Sequence, residues 1–304
     1  MKRHTRFPLA ISWVREPDRF AKVDMLTKRL TARDKERRFR YIASRLLIRC
    51  GPLMSWYTIQ RHGYRIRLYP TSLSAAIWYD RNDFTSIEQL IRRILREGDH
   101  VIDVGANIGT TALCAGAVVG ELGGVMAIEP HPRTYRFLQG NVRLNKMANV
   151  QTINCALGAR DGYIGLSDTR SDDMNAVDDA GIQVRLSSLD SLSDGMREVA
   201  LLKIDVEGYE KYVIEGAVRT LERVQCVLFE ASTEAAARHQ SSVLDVIMAL
   251  KERGFETFEL RNDGELSRSS GAPTAESQAG DNLLATRDVA SLQTRLNTSP
   301  RNQV

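Results

Sequence analysis

Short blocks of apolar residues alternate with longer segments of helical periodicity through most of the chain. A continuous apolar block is typical of a buried parallel strand, whereas apolar residues spaced three and four apart mark one face of a helix. Helices separate most of the blocks, so we expect an α/β fold with a doubly wound, mostly parallel, Rossmann-like sheet and helices on both faces. The blocks predict seven strands, at Val101–Val104, Gly124–Glu129, Val150–Cys155, Ala200–Asp205, Val224–Glu230, Phe255–Leu260 and Asn282–Thr286.

The N-terminal segment, residues 1–85, differs from this region because its apolar positions are scattered among basic residues. We expect it to be helical up to about residue 55. Alternating polarity on both sides of His62-Gly63 then predicts a β-hairpin. Thr85 and Glu88 have the spacing of a capping box, which predicts the start of a helix.

The main domain is predicted to span residues 86–290, with a polar insertion at 159–195. Insertions on such scaffolds often shape a substrate site. Residues 267–280 are rich in small and polar side chains and predict a flexible loop. The tail at 291–304 is predicted to be disordered.

Charge is distributed unevenly along the chain. Residues 1–100 contain 22 lysines and arginines against 10 acidic residues, whereas the remainder contains 20 against 28. A solvated, arginine-rich helical face accounts for this, although contact with an acidic partner or a peripheral membrane contact stays open. No apolar stretch has the length and continuity that a transmembrane helix needs. The sequence does not indicate an oligomeric state.

The four cysteines, Cys50, Cys114, Cys155 and Cys226, lie far apart and form no CxxC pair. This spacing argues against a structural zinc site. Cys114 and Cys226 fall within apolar runs, which is typical of small buried side chains. We therefore expect reduced cysteines, no signal peptide and a cytoplasmic location.

A glycine-containing loop follows the first predicted strand of the main domain. Gly105 and Gly109 let the backbone turn sharply between that strand and the next helix. The spacing Gly105-x-Asn107-x-Gly109 does not match the dinucleotide fingerprint, and no Lys-Ser/Thr pair indicates a P-loop. The loop suits a nucleoside with an amino-acid tail, and Asp103 at the strand end is a candidate partner for an ammonium group.

Glu129 ends the second predicted strand, some 24 residues after Gly105. A carboxylate at this position of an α/β sheet can accept hydrogen bonds from both hydroxyls of a ribose. Taken alone, it also suits a helix-capping charge near Arg133. Its combination with the glycine loop favours nucleoside binding.

Several of these segments together resemble the FkbM family of methyltransferases. The resemblance covers roughly residues 95–232 and is carried by the runs VIDVGANIGTTALCAG, AIEPHPRTYRFLQGNVRLN, NCALG, LDSL, LLKIDVEGYEKYVIEGA and VLFEAS. It implies S-adenosylmethionine as the cofactor. It also implies a hydroxyl acceptor on a sugar, a glycolipid or polysaccharide unit, or a secondary metabolite.

The resemblance also implies which residues hold the cofactor. The loop would hold the methionine end, Glu129 would hold the ribose with Pro130 beside it, and the end of the third predicted strand would lie against the adenine. Asn107 stands where many methyltransferases have a middle glycine. The implied cofactor residues are Asp103, Gly105, Ala106, Asn107, Gly109, Thr110, Glu129, Pro130, Cys155, Ala156 and Leu157.

A hydroxyl acceptor needs a nearby base, and the end of the fourth predicted strand offers candidates. Lys203 and Asp205 point the same way because strand side chains alternate between faces. Our hypothesis is that Asp205 or Glu207 accepts the acceptor proton while Lys203 positions that carboxylate. The alternative is a structural Lys203–Asp205 ion pair, with Glu207 capping the next helix.

Two further roles, a metal site and a histidine base, have less support in the sequence. Asp205, Glu207 and Glu230 can supply hard oxygen ligands, but no spacing demands a divalent ion, so we expect no metal. His131 lies between two prolines and is better explained as a turn residue than as a base.

Two other enzyme classes compete with this interpretation. A nicotinamide-dependent oxidoreductase shares the fold, but the loop spacing argues against it. A nucleic-acid methyltransferase is suggested by the basic N-terminal third, yet the run Asp205-Val-Glu-Gly is acidic and lacks an aromatic clamp for a flipped base. We therefore expect no stable nucleic-acid binding.

Overall fold

In the computed structural model, the described residues are 55–79, 85–167, 181–196, 198–261, 265–269, 271 and 282–298. The strands are β1 (Thr58–Arg61), β2 (Tyr64–Arg67), β3 (His100–Val104), β4 (Gly124–Ile128), β5 (Val150–Ile153), β6 (Ala156–Leu157), β7 (Gly162–Leu166), β8 (Ile182–Ser187), β9 (Val199–Ile204), β10 (Val224–Glu230), β11 (Glu256–Leu260), β12 (Leu266–Arg268) and β13 (Asn282–Thr286). The helices are α1 (Ser72–Tyr79), α2 (Thr85–Ile94), α3 (Thr110–Val119), α4 (Pro132–Asn145), α5 (Leu189–Leu192), α6 (Glu210–Glu215), α7 (Val218–Leu221), α8 (Thr233–Arg238), α9 (Val243–Lys251) and α10 (Val289–Thr298).

The central sheet has the strand order β12-β11-β13-β10-β9-β3-β4-β5. Strands β5, β4, β3, β9 and β10 are mutually parallel, whereas β13 runs antiparallel to both β10 and β11. The predicted α/β fold with a mostly parallel Rossmann-like sheet is confirmed. The order reverses beside β3, so the carboxyl ends of β3 and β9 border the crevice in which such sheets bind ligands.

The sheet has eight strands instead of the seven predicted, because β12 adds an antiparallel edge through the pair Phe258 and Arg268. Its three residues carry only one apolar side chain, Leu266, so no hydrophobic pattern marks it. The predicted 267–280 loop is therefore wrong at Ser267 and Arg268, and its residues 272–280 lie outside the described part of the chain.

Helices cover both faces of the sheet, and the alternation along β3 separates the two cores. Val101 packs into the cluster formed with α2, α3 and α10, and Ile102 packs into the cluster formed with α6 and α9. Asp103 and Lys203 are direct neighbours in the parallel register of β3 and β9, so both lie on the face that Val101 shares. This register brings two charged residues together inside the sheet.

The predicted hairpin is present, with β1 and β2 joined at His62-Gly63. Two asparagines on α4, one helical turn apart, bind the backbone of β2. Arg67 N donates to Asn141 Oδ1 at 2.8 Å, and Arg65 N donates to Asn145 Oδ1 at 2.7 Å. The hairpin is thereby fixed to the main domain and leads into α1. The helical prediction for residues 1–54 lies outside the described residues.

The predicted disorder of the C-terminal tail is wrong for residues 291–298, which belong to α10. Leu292 and Leu296 are buried against α2, and Arg295 Nη1 donates to Asp99 Oδ2 at 2.6 Å. Two leucines one turn apart and one ion pair are sufficient to hold a short amphipathic helix on the surface. Residues 299–304 lie outside the described part of the chain.

A separate small sheet has the order β6-β8-β7, and the insertion predicted at 159–195 contributes two of its strands, β7 and β8. Among the described residues, Cys114, Cys155 and Cys226 are buried and unbridged. In the same residues, every helix is too short or too polar to cross a lipid bilayer.

Candidate active site

A cavity of about 400 Å³ opens at the carboxyl ends of the parallel strands. This volume lies within the range of about 300–1,000 Å³ that is usual for small-ligand sites. Its lining includes the residues that follow β3, β4 and β9, namely Gly105, Glu129 and Asp205. The predicted glycine loop, acidic strand end and catalytic segment therefore border one space.

The glycine loop lies tightly against the segment that follows β9. Gly105 has a φ of +77°, and a Cβ at this position would stand 1.8 Å from the carbonyl oxygen of Asp205. Gly109 has a φ of +99°, and the non-glycine residue Asn107 also has a positive φ, of 49°. The loop therefore needs glycine for both conformation and space at Gly105.

Glu129 is fixed by the backbone on both sides of it. Its Oε2 accepts a hydrogen bond from Asn107 N and its Oε1 accepts one from His131 N, both at 2.9 Å. The residue is 6% exposed and lines the cavity. An ionised carboxylate offers about four lone-pair positions, so both oxygens can still accept a hydroxyl donor from a ligand.

The wall beside Glu129 is apolar, with Cys155, Ala156 and Leu157 all buried and all lining the cavity. Asn154 Nδ2 donates to the carbonyl oxygens of Glu129 and Pro130, at 2.8 and 2.9 Å. These bonds hold the ends of β4 and β5 at a fixed separation. A flat heteroaromatic ring fits against such a wall.

Asp103 does not have the position expected for an ammonium-binding residue. It is 0% exposed, is not part of the cavity lining, and lies 3.5 Å from Lys203 Nζ through its Oδ1. Complete burial raises the pKa of Asp103, an effect that the Lys203 ammonium partly offsets. Its contact with a ligand ammonium, directly or through water, stays a prediction, and its burial beside Lys203 argues against a direct contact.

Lys203 links Asp103 to Asp205. Its Nζ donates to Asp205 Oδ2 at 3.0 Å, and the lysine side chain is 7% exposed whereas that of Asp205 is 40% exposed. Burial alone would lower the pKa of Lys203, but the neighbouring Asp205 and Asp103 outweigh it and raise that pKa. A permanently charged ammonium thus fixes a carboxylate that borders the cavity.

Comparison with known proteins shows which family this chain belongs to. The model of the methyltransferase FkbM domain matches residues 103–257, about half of the chain. The chain belongs to the FkbM methyltransferase family. It is therefore an S-adenosylmethionine-dependent methyltransferase, as the sequence predicted.

The chain is similar to two named methyltransferases and to one solved structure, as follows. It is 28% identical to Methyltransferase 1 of Beauveria bassiana over 38% of its own length and 57% of that protein. It is also 28% identical to the hexuronic acid methyltransferase AglP of Haloferax volcanii, over 61% of its length and 78% of that protein. The crystal structure of an FkbM methyltransferase from Methylobacillus flagellatus aligns with a TM-score of 0.40 and 14% identity, covering 70% of this chain and 60% of that one.

The cavity fits the methyl donor of this methyltransferase. Glu129 offers acceptors for a ribose diol, and the apolar wall suits adenine. The loop residues Gly105, Ala106, Asn107 and Thr110 line the same cavity, whereas Gly109 shapes the turn behind it. Of the cofactor residues expected from the sequence, Asp103 and Gly109 are the two that stand outside the lining.

Glu207 has a strained backbone, with a φ of 56°. Its carboxylate lies 3.8 Å from Arg238 Nη2 and lines the cavity. The N-cap of α6 is Tyr209 and no side chain caps this helix, so the helix-capping role considered for Glu207 is wrong. Glu210 Oε1 accepts from Val206 N and Gly208 N, which lie in the turn before the helix. Backbone strain at a half-buried carboxylate beside a ligand cavity is a common feature of functional sites.

Asp205, Glu207 and Glu230 form a group of acids whose carboxylate oxygens lie within 4.8 Å of one another. Burial, followed by the charges of Asp205, Glu207 and Glu210, raises the pKa of Glu230 to about 8. Such a group can share a proton, and its oxygens are of the type that hard divalent cations prefer. The sequence placed these residues at two strand ends but did not indicate how strongly they interact.

Sequence reasoning missed the wall opposite the sheet. Ser72, Leu73 and Ala76 of α1, with Ile87 and Glu88 of α2, line the cavity. The capping-box spacing assigned Glu88 to a helix end, whereas its Oε1 accepts from the Tyr64 hydroxyl at 2.5 Å. His131 has the expected turn role, since its Nδ1 accepts from Arg133 N at the start of α4, although it also lines the cavity.

Proposed function

We propose that this methyltransferase transfers a methyl group to a hydroxyl of a sugar, a glycolipid or polysaccharide unit, or a secondary metabolite. The observation that carries the proposal is the Lys203–Asp205 pair, with its 3.0 Å contact, at the edge of the cavity. A hydroxyl must lose its proton as it is methylated, so it needs a positioned base. The likeness to a hexuronic acid methyltransferase agrees with a carbohydrate acceptor.

In the proposed mechanism the bound cofactor supplies an activated methyl group. Glu129, held by two backbone N–H groups, orients the ribose, and the apolar wall at Cys155–Leu157 receives the adenine. Asp205 or Glu207 accepts the acceptor proton. Lys203, itself held by Asp103, keeps Asp205 in one orientation and stays protonated throughout.

The acceptor side of the proposed site is formed by elements outside the parallel sheet. Helices α1 and α2 and the insertion residue Leu166 contribute lining on this side, as does Asn282 at the start of β13. Exclusion of water by these elements would help methyl transfer compete with hydrolysis. The acidic group around Glu230 would repel nucleic-acid phosphates, so the proposal includes no nucleic acid.

Labelled methyl transfer tests this function. The full chain would be incubated with methyl-labelled cofactor and with glycan, lipid and small-metabolite fractions, and the labelled product would be treated with mild alkali. A methyl ether survives this treatment, whereas a methyl ester releases methanol. Alkali-stable label on a glycan or metabolite supports the proposal; label that alkali releases, or label on nucleic acid, contradicts it.

Two aspartate variants give that assay a matched control. Asp205→Asn is expected to lower turnover by about 100-fold or more, since removing a general base typically has that effect. Its affinity for S-adenosylhomocysteine should stay within about twofold, because the contacts to Glu129 and the loop are intact. Asp194→Asn, at an exposed position, should leave both unchanged. Equal loss of turnover and of S-adenosylhomocysteine affinity in Asp205→Asn would show that Asp205 has a structural role instead of a catalytic one.

A further inference from the structure

Glu88 is a buried carboxylate that reaches the cavity from the side of α2. It is 7% exposed and lines the cavity together with Thr110 and Thr111 at the start of α3. The two helices are packed together, and Cys114 Sγ, about one turn after Thr110, donates to the carbonyl oxygen of Glu88 at 3.8 Å. Glu88 therefore stands beside the end of the loop that is assigned to the methionine tail.

Residues of the hairpin hold one oxygen of this carboxylate. Tyr64 OH donates to Glu88 Oε1 at 2.5 Å, and Arg61 Nε lies 3.8 Å from the same oxygen. Burial, followed by the charge of Glu88, raises the pKa of Tyr64, so its hydroxyl stays a proton donor. Among the described residues, none donates a hydrogen bond to Oε2. The carboxylate is thus fixed by one oxygen, and the other is available to a ligand.

The methionine tail of the cofactor carries an ammonium group that needs an anionic or acceptor partner. Asp103 is sealed behind Lys203, and Asp205 already pairs with that lysine. Glu88 is a further cavity-lining carboxylate, and its helix α2 packs against α3, which begins at Thr110. We propose that Glu88 binds the α-ammonium of the cofactor, and that the hairpin thereby forms part of the cofactor site. The inference rests on the cofactor placement in the proposed function.

The alternative is a purely structural role, in which Glu88 joins the hairpin to α2. Two ligands distinguish the roles, because 5′-methylthioadenosine shares the nucleoside of S-adenosylhomocysteine but lacks the amino-acid tail. A structural residue affects both ligands alike, whereas a residue that binds the tail affects S-adenosylhomocysteine alone. Decarboxylated S-adenosylmethionine keeps the amine and separates an ammonium contact from a carboxylate contact.

Calorimetry on the full chain tests the inference. Glu88→Gln should weaken S-adenosylhomocysteine binding by about 10- to 100-fold, the usual range for a lost charge-assisted hydrogen bond. It should weaken the decarboxylated donor comparably and change 5′-methylthioadenosine by less than about twofold. Glu97→Gln, at an exposed acid just after α2, should change none of them.

Each other outcome is decisive. Equal loss for S-adenosylhomocysteine and 5′-methylthioadenosine, or no loss for either, overturns the role of Glu88 and leaves the proposed function intact. A wild-type protein that binds neither ligand overturns both. If Glu88→Gln does not fold, Glu88→Asp carries the same test, because it keeps the charge but shortens the reach to the tail.

Discussion

The two sides of the cavity are held in different ways. On the side of β4, Glu129 is fixed by two backbone N–H groups and stands beside an apolar wall. On the side of β9, Lys203 holds Asp205 by an ion pair, and Asp205, Glu207 and Glu230 are crowded together, which raises the pKa of Glu230. The first arrangement is fixed by backbone hydrogen bonds, as binding a constant ligand requires. The second depends on protonation, as proton transfer requires.

We expect the largest loss of stability and of cofactor binding from a substitution at Gly105, where the glycine loop lies against the segment after β9. Gly105→Ala would place a Cβ 1.8 Å from the Asp205 carbonyl oxygen, at a φ of +77°. We expect a loss of about 2–4 kcal/mol in the free energy of unfolding, together with loss of cofactor binding and of turnover. Chemical denaturation and calorimetry measure these effects.

Gly98 provides the control, since it also has a positive φ, of +84°, but no atom lies within 4 Å of an added Cβ. Gly98→Ala should cost only the backbone strain, about 1 kcal/mol, and should leave cofactor binding intact. Similar losses in both variants would mean that backbone conformation alone, and not the close approach of Gly105 to Asp205, explains the effect.

We expect a smaller change in stability from a substitution in the group of acids Asp205, Glu207 and Glu230. Because the folded state raises the pKa of Glu230 to about 8, it keeps a proton that the unfolded chain releases near pH 4–5. The folded state then binds more protons, so the free energy of unfolding falls as pH rises through this window. Glu230→Gln should therefore be more stable than the wild type at about pH 8–9, by about 1 kcal/mol, or about 2–4 °C in Tm.

The difference in Tm between Glu230→Gln and the wild type should shrink steadily as the pH is lowered towards 5, because both proteins are then uncharged at this position. Glu234→Gln, at an exposed site on α8, should show no such trend. A pH-independent difference in Tm for Glu230→Gln would contradict the proposed interaction among the acids.

Local patterns predicted where Gly105 and Glu129 lie in the fold. Buried strands appear in the sequence as apolar blocks. Gly105 and Glu129 directly follow such blocks, so the sequence was sufficient to predict that they lie at the edge of the sheet. The burial of Asp103 beside Lys203 could not be predicted in this way. It depends on the strand register that pairs these two residues, which lie 100 residues apart along the chain.

The rest of the cavity lining was predicted poorly because its determinants are not local. Glu88 fits a capping box in sequence, yet it bonds to Tyr64, which lies 24 residues earlier in the hairpin. The mutual influence of Asp205 and Glu230 arises only when β9 and β10 pair. The short strand β12 and the helix α10 carry too few apolar residues to give a clear pattern.

Calorimetric titration of S-adenosylhomocysteine into the wild type and Glu129→Gln tests the central claim most directly. The wild type should bind the ligand and should not bind NAD. Glutamine replaces one acceptor oxygen with an NH₂ group that faces a backbone N–H, so Glu129→Gln should weaken S-adenosylhomocysteine and 5′-methylthioadenosine alike, by about 10- to 100-fold. Unchanged affinity in the folded variant would contradict the assignment of Glu129 to the ribose and, with it, the placement of the cofactor in this cavity.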